Sequence, residues 1–146
     1  MIPAPTFTLI GCGARKLPHP APARDLYTGS LFRAARGYAE AAGRPWAIAS
    51  ALHGVLLPDQ EVEHYDVRLP TREAERDAWG ERIAAQLWDL GWRGLVEIHA
   101  GHDYARSVQS GLMLGPRGLA GAIVMPGWPI GRRLQWYAQQ RERRAA

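Results

Sequence analysis

The chain alternates short apolar runs with stretches of helical periodicity, and that alternation limits its fold more than any single motif. Thr6–Gly11 (TFTLIG) reads as a strand. Ser30–Ala42 reads as a helix: Phe32, Ala35, Ala39 and Ala42 share a face, Ser30 can cap its start and Gly43 can end it. Trp46–Ser50 is a second strand. Thr71–Leu90 is the longest predicted helix, with Trp79, Ile83, Leu87 and Leu90 at helical spacing and Gly91 as its stop. Leu95–Ala100 is a third strand, His102–Leu112 a helix, and Ala120–Met125 a fourth strand. Gly131–Arg144 is a final basic helix with Ile130, Leu134 and Tyr137 as its apolar positions, and Arg141–Ala146 is expected to fray. Strands joined through helices require right-handed crossovers. The prediction is one α/β domain over residues 1–146, a three-layer sandwich with a mostly parallel sheet of about four strands and helices on both faces.

A chain of 146 residues buries roughly 70% of its unfolded surface, enough for a core without staples. The single cysteine, Cys12, excludes an internal disulfide and fits a reducing compartment. The start MIPAPTFTLIG lacks a basic n-region and a long apolar h-region. No run approaches the ~18 apolar residues of a membrane span. These features predict a soluble cytoplasmic protein with no membrane partner. The formal charge is +4, and of the 18 basic residues only Lys16 is a lysine. Arginine suits recognition of phosphate and base; a GC-rich genome, which favours Arg, Ala, Gly and Pro codons, produces the same bias.

In a doubly wound sheet, ligands sit beyond the carboxyl ends of the strands. Those ends lead into Cys12–Gly29, Ala51–Pro70, Ala100–Asp103 and Pro126–Gly131. All five histidines (His19, His53, His64, His99 and His102) lie in or beside the first three of these loops, as do Asp25, Tyr27, Asp66, Asp103 and Tyr104. The helices contribute mainly Arg, Glu, Ala and Leu. A loop as long as Ala51–Pro70 is uncommon in a small domain unless it binds or reacts with something.

In the first loop, Gly11 and Gly13 allow close backbone approach, and Arg15 and Lys16 add positive charge, so the segment can cradle a phosphate. Neither GxxxxGK[ST] nor GxGxxG is present, and a glycine turn with solvated charges explains the same residues. Cys12 is either a nucleophile or an inert thiol. Asp25 is a candidate general base or sugar-hydroxyl ligand, or else caps the turn that positions Tyr27; Ser30 reads as a helix cap. In the second loop, His53 can donate to a developing oxyanion on a leaving base or simply bond to loop backbone. Tyr65 offers a stacking face beside the Asp66 carboxylate. His99 and His102 have a metal-like spacing, but no closed set of three or four ligands accompanies them, so neither metal nor cofactor is predicted. Asp103 can cap the third major helix. Gly131 opens a helix whose amides can face an anion, beside Arg132 and Arg133, unless that helix is merely solvated.

The segment IASALHGVLLPDQEVEHYDVRL resembles the pattern of YaaA-family peroxide-stress proteins, through Ser50, Gly54, Leu57, Pro58, Asp59 and Tyr65. His53 stands where that family usually has an aromatic, and His64 where it has the proline before the tyrosine. CGARKLPHPAPARDLYTGSLFRAARGYA is similar to a family of small uncharacterised bacterial and phage domains, through Cys12, Lys16, Asp25, Leu26, Tyr27 and Phe32, with Gly13 departing from their serine. The Gly131, Leu134, Trp136 ending also looks familial. Both groups look related to the uracil-DNA-glycosylase-like fold. The resemblance implies a three-layer α/β domain with a pocket for a nucleobase or nucleoside. The water-activating Asp-Pro-Tyr motif of true uracil-DNA glycosylases is absent, and the helix-hairpin-helix element of longer YaaA proteins is not accommodated.

The expectation is a nucleobase-handling protein, DNA-glycosylase-like, that cleaves or exchanges an N-glycosidic bond of a modified or damaged base. That chemistry needs a carboxylate near a cation-like sugar and a donor near the leaving base. Asp25 or Asp66 can supply the first and His53 the second. Tyr27 or Tyr65 can stack on an extruded base, while Lys16 and Arg132 hold phosphate. Cys12, Gly13, Ser50, Gly54, His102 and Tyr104 complete the predicted substrate surface. The alternatives are a non-catalytic nucleic-acid or nucleotide binder of a DNA-damage or stress response, and a hydrolase of free nucleotides or nucleosides.

Overall fold

The computed structural model describes residues 6–145. Strands β1 (Thr6–Gly11), β3 (Trp46–Ser50), β6 (Gly94–His99) and β7 (Leu119–Ile123) pair in parallel, and β4 (Gly54–Leu56) adds an antiparallel edge, in the order β4-β3-β1-β6-β7. Among the described residues the sheet thus has five strands, slightly more than the expected four or so. Gly54, at φ +73°, turns β3 back on itself, and Val55 N–H is tied to the Gln86 side chain at 2.8 Å. A two-residue pairing of β2 (Ala21–Pro22) with β5 (Glu61–Val62) lies outside the main sheet.

Side-chain alternation along the strands separates two cores. Phe7, Leu9, Ala47, Ala49, Val96 and Ile98 pack under α3 (Glu73–Asp89) and α4 (His102–Leu114), against Trp79, Ile83, Leu87, Val108 and Leu112. Ile10 and Ile48 face the other way, toward α2 (Ser30–Ala42) and α5 (Ile130–Ala145), against Phe32, Ala35, Ala39 and Tyr137. This is the predicted three-layer α/β arrangement. Helix boundaries fall close to expectation, but Gly29 rather than Ser30 occupies the N-cap of α2. Leu90 and Ile130, predicted to be apolar contacts, are exposed. Helix α5 carries the tail through Ala145 instead of fraying from Arg141; Ala146 lies outside the described residues. No described helix is long and apolar enough to cross a membrane.

A polar network crosses the α2/α5 face. Arg44 Nη1 donates to Glu97 Oε2 at 2.8 Å, and the Tyr38 hydroxyl donates to Oε1 at 3.1 Å. His99 Nε2 lies 3.3 Å from Oε1, and its Nδ1 lies 2.8 Å from the Tyr137 hydroxyl. The carboxylate only accepts, so Nε2 carries the proton; in the neutral ring Nδ1 then accepts from Tyr137. The His99 bond, helped by Arg44 and opposed by burial, holds the Glu97 carboxyl down at about 2, against an ordinary 4.5. A carboxyl lowered by folding stabilises the protein fully above its unfolded value, and the contribution disappears as pH falls through the folded one. Wild type is therefore expected to lose on the order of 2 kcal/mol more than Glu97→Gln between about pH 4.5 and pH 2, as read by urea unfolding.

Candidate functional site

The winding direction reverses between β1 and β6: from β1 the chain moves to β3 on one side, then returns to β6 on the other. Loops leaving adjacent parallel strands in opposite directions open a crevice at their carboxyl ends. Gly11 sits at the end of β1, and a Cβ there would come within 2.8 Å of the Ala100 Cβ, so glycine permits the two strand ends to approach closely. On the α3/α4 side of this point lies a cleft of about 550 Å³, within the range of small-molecule sites.

The cleft brings together Cys12, Gly13 and Lys16 from the first loop, Asp66 and Arg68 from the second, and His102 and Tyr104 from the start of α4. Asp66, Arg68 and His102 are exposed to solvent. Arg76 of α3 completes one wall; its Nε donates to the Pro70 carbonyl at 2.6 Å and its Nη1 lies 3.4 Å from Asp103 Oδ1. Asp103 therefore pairs across the cleft wall; Gly101 occupies the N-cap of α4, with no side-chain cap bond. The Tyr104 ring stands edge-to-face on Trp79 with centroids 5.3 Å apart, and its hydroxyl is 3.9 Å from Cys12 Sγ. Burial, reinforced by the neighbouring thiol, raises the Tyr104 pKa above that of a free phenol. The cleft thus carries two exposed carboxylates, Asp66 free and Asp103 paired with Arg76, three cationic side chains, an imidazole and a fixed aromatic ring.

The two long loops both line this cleft, the first at Cys12, Gly13 and Lys16 and the second at Asp66–Leu69. They join each other directly, through the β2–β5 pairing, Ala23 N–H to the Gln60 carbonyl at 2.8 Å, and an ion pair of Arg24 with Asp59 at 2.7 Å. Leu17 and Leu26, and Arg15 and Thr28, tie the first loop to itself. Between the loops the space is filled by Tyr27 and Tyr65, which are 1% and 8% exposed. Neither ring is available to stack on an extruded base. Their hydroxyls are 2.5 Å apart, and that of Tyr65 is 2.6 Å from Ser50 Oγ, which also accepts His53 N–H at 3.1 Å. Burial pushes the Tyr65 phenol up to about 12 and raises that of Tyr27 further. Ser50, fully buried, organises this turn and is withdrawn from substrate. Lys16 Nζ lies 4.6 Å from the centroid of the Tyr65 ring and so covers the tyrosine pair from the cleft side.

The other predicted residues scatter. Asp25 is bound to Arg36 at 2.8 Å on the outer face of α2 and does not line the cleft. The one-turn helix α1 (Ala23–Leu26) buries its neighbours Ala23 and Leu26, which turns the aspartate outward. His53 stacks edgewise on Tyr65 and lines a separate groove of about 300 Å³ with Leu52, Leu56 and His64. Asp66 and His53 therefore do not share a cleft. Gly54 serves the β3–β4 turn against Gln86 rather than a ligand. Arg132 lies over the Trp128 ring, 3.7 Å from its centroid, outside the cleft. Arg68 and Arg76 were missed as site residues; Arg68 follows from placing the loop after Tyr65 along the mouth of the crevice, and Arg76 from the first turn of α3, bound to Pro70 at the end of that loop.

A family model matches residues 7–139, and its description is a family of unknown function, DUF6884. No curated protein matches the chain.

Proposed function

The chain belongs to the DUF6884 family, and we propose from its cleft that it is a nucleobase-handling protein of the N-glycosidase type, acting between the ends of β1 and β6. One observation carries this reading: the cleft sets a solvated carboxylate, Asp66, among cations and an aromatic ring at the reversal point of the sheet. The resemblance of the second loop to YaaA-family proteins, and of the first to small uncharacterised bacterial and phage domains, two groups that look related to the uracil-DNA-glycosylase-like fold, supports it. Asp66 would stabilise the cation-like sugar and take a proton from the attacking water. The bond from C1′ to the base nitrogen breaks, its electron pair leaves with the base, and His102 supplies the proton the base gains. Lys16 and Arg68 would hold phosphate, and Tyr104 would present its ring to the base.

The test is incubation of purified protein with duplex and single-stranded DNA containing uracil, oxidised or hypermodified bases, alongside free nucleosides. Release of base, with an abasic product from DNA, is the expected result; no release from any substrate overturns the proposal. Turnover of nucleosides alone would redirect it to a free-nucleoside hydrolase.

The cation excess of the lining favours a second reading, non-catalytic nucleic-acid binding. That reading expects salt-dependent binding without product, unaffected by loss of Asp66.

A further inference from the structure

Formal charge is segregated between the two faces of the sheet. Helix α5 carries Arg132, Arg133, Arg141, Arg143 and Arg144 against a single acid, Glu142. With five of the 18 basic and one of the 14 acidic residues on α5, 13 of each remain elsewhere, so the whole net charge of +4 resides on this helix. Helix α3, on the opposite face, carries Glu73, Glu75, Asp77, Glu81 and Asp89 against Arg76 and Arg82. Codon bias adds arginines without regard to face and does not account for this separation. A polyanion is attracted to the α5 side and repelled by α3.

The α5 arginines are not consumed by the fold. Among the described residues, ion pairs engage Arg24, Arg36, Arg44 and Arg76 but none of Arg132, Arg141, Arg143 and Arg144. All four of the latter are exposed. Arg132 lies over the Trp128 ring and Arg144 over that of Tyr38, 3.7 and 5.0 Å from the centroids; a ring face steadies a guanidinium without neutralising it. Arg133 is the exception, buried and bonded to the Trp128 and Ala100 carbonyls. Arg132, Gln135, Gln139 and Arg143 recur at i, i+3, i+7 and i+11 and are all exposed, so they form one line along the helix with its arginines about 16 Å apart. The two glutamines place amide donors between the two charges. A helix that lies in a membrane surface needs a free apolar face. Here Tyr137 turns inward against the α2 core, and of the large apolar side chains of α5 only Ile130 is exposed. A phosphodiester backbone asks only for positive charge and donors.

We propose that the outer face of α5 docks the phosphodiester backbone of a double-stranded nucleic acid, with Arg132 and Arg143 each meeting a phosphate. This surface is separate from the cleft, and docking on it is independent of the glycosidic chemistry. Helix α5 follows the carboxyl end of β7, so Arg132 lies at the cleft end of the molecule and a duplex held along the helix runs toward the cleft. The test is fluorescence anisotropy of an undamaged DNA duplex of about 20 base pairs over a series of salt concentrations. The double variant Arg132→Gln/Arg143→Gln is expected to bind at least about tenfold more weakly at low salt, with the slope of log K against log salt reduced by about 2. Both positions are exposed and outside any ion pair, so the fold is retained. Arg72→Gln/Arg117→Gln removes the same charge from exposed positions in the α3/α4 layer and should change neither quantity. No saturable binding by the wild type at low salt, or equal losses in the two double variants, overturns the proposal. So does a loss in Lys16→Gln/Arg68→Gln with none in the α5 pair, which would put the backbone in the cleft alone. Phosphatidylserine vesicles and poly-glutamate, the competing polyanions, should bind more weakly than the duplex; either one binding as tightly overturns nucleic acid as the partner.

Discussion

Gly80→Ala is expected to destabilise the protein by about 3 kcal/mol, and Gly111→Ala by a similar amount. In an open helix the same change is favourable by about 0.5–1 kcal/mol, because glycine loses more backbone freedom on folding. Here the sign reverses. A Cβ at Gly80 would fall on the Ser107 carbonyl of α4, and a Cβ at Gly111 would fall on the Gly80 carbonyl of α3. The obstacle in both cases is backbone, which cannot swing aside as a long side chain can. The helices must separate, and separation loosens Trp79, Ile83, Leu87, Val108 and Leu112 together. Gly37→Ala, on α2 with open space around the new methyl, supplies the contrast: it should stabilise by about 0.5–1 kcal/mol. Urea or thermal unfolding of the three variants measures the reversal directly. If Gly80→Ala matched Gly37→Ala, the close crossing of α3 and α4 would be wrong.

Asp66→Asn is expected to reduce base release by about 100-fold or more, with the folded stability unchanged. The side chain is exposed, and no hydrogen bond or ion pair engages it among the described residues, so its removal costs the fold little. Asparagine keeps the shape and loses the charge and the basicity that a developing sugar cation and an attacking water both require. Asp25→Asn should leave release intact, because its carboxylate is committed to Arg36 outside the cleft. An equal loss in both variants would point to electrostatics of the whole surface, and undiminished release in Asp66→Asn would remove the proposed role.

The fold was largely legible in the sequence because strands and helices with two distinct periods leave separate marks. Phe7 and Leu9 against Ile10, or Ile83 with Leu87, reveal a period of two or of about 3.6 whatever surrounds them. Strand β4 was hidden because Gly-Val-Leu is too short to establish a period and is followed by Pro58 and Asp59, which read as loop. The β2–β5 pairing is two residues long and includes Pro22, so nothing local announces it. The site was legible in location but not in membership. Tyr27 and Tyr65 carry an apolar body and a polar tip, and sequence does not say that their tips find each other and Ser50 inside the loops. That inward turn of Tyr65 separates His53 from Asp66 and divides one expected pocket into two. Arg133 read as flanking a helix start that faces either an anion or solvent, not as a buried residue; its position four residues before Tyr137, on the buried face of α5, was the available signal. Gly80 and Gly111 left no local trace, since a helical glycine looks merely tolerated until its partner helix is placed.

The central claim is that ligand enters the cleft at the reversal point of the sheet. Backbone amide shifts during titration with a short single-stranded uracil-containing oligonucleotide at low salt test it most directly. Shifts concentrated at Lys16, Asp66–Leu69 and Gly101–Tyr104 are predicted. Shifts confined to the groove of Leu52, His53 and His64, or none at all, would contradict it.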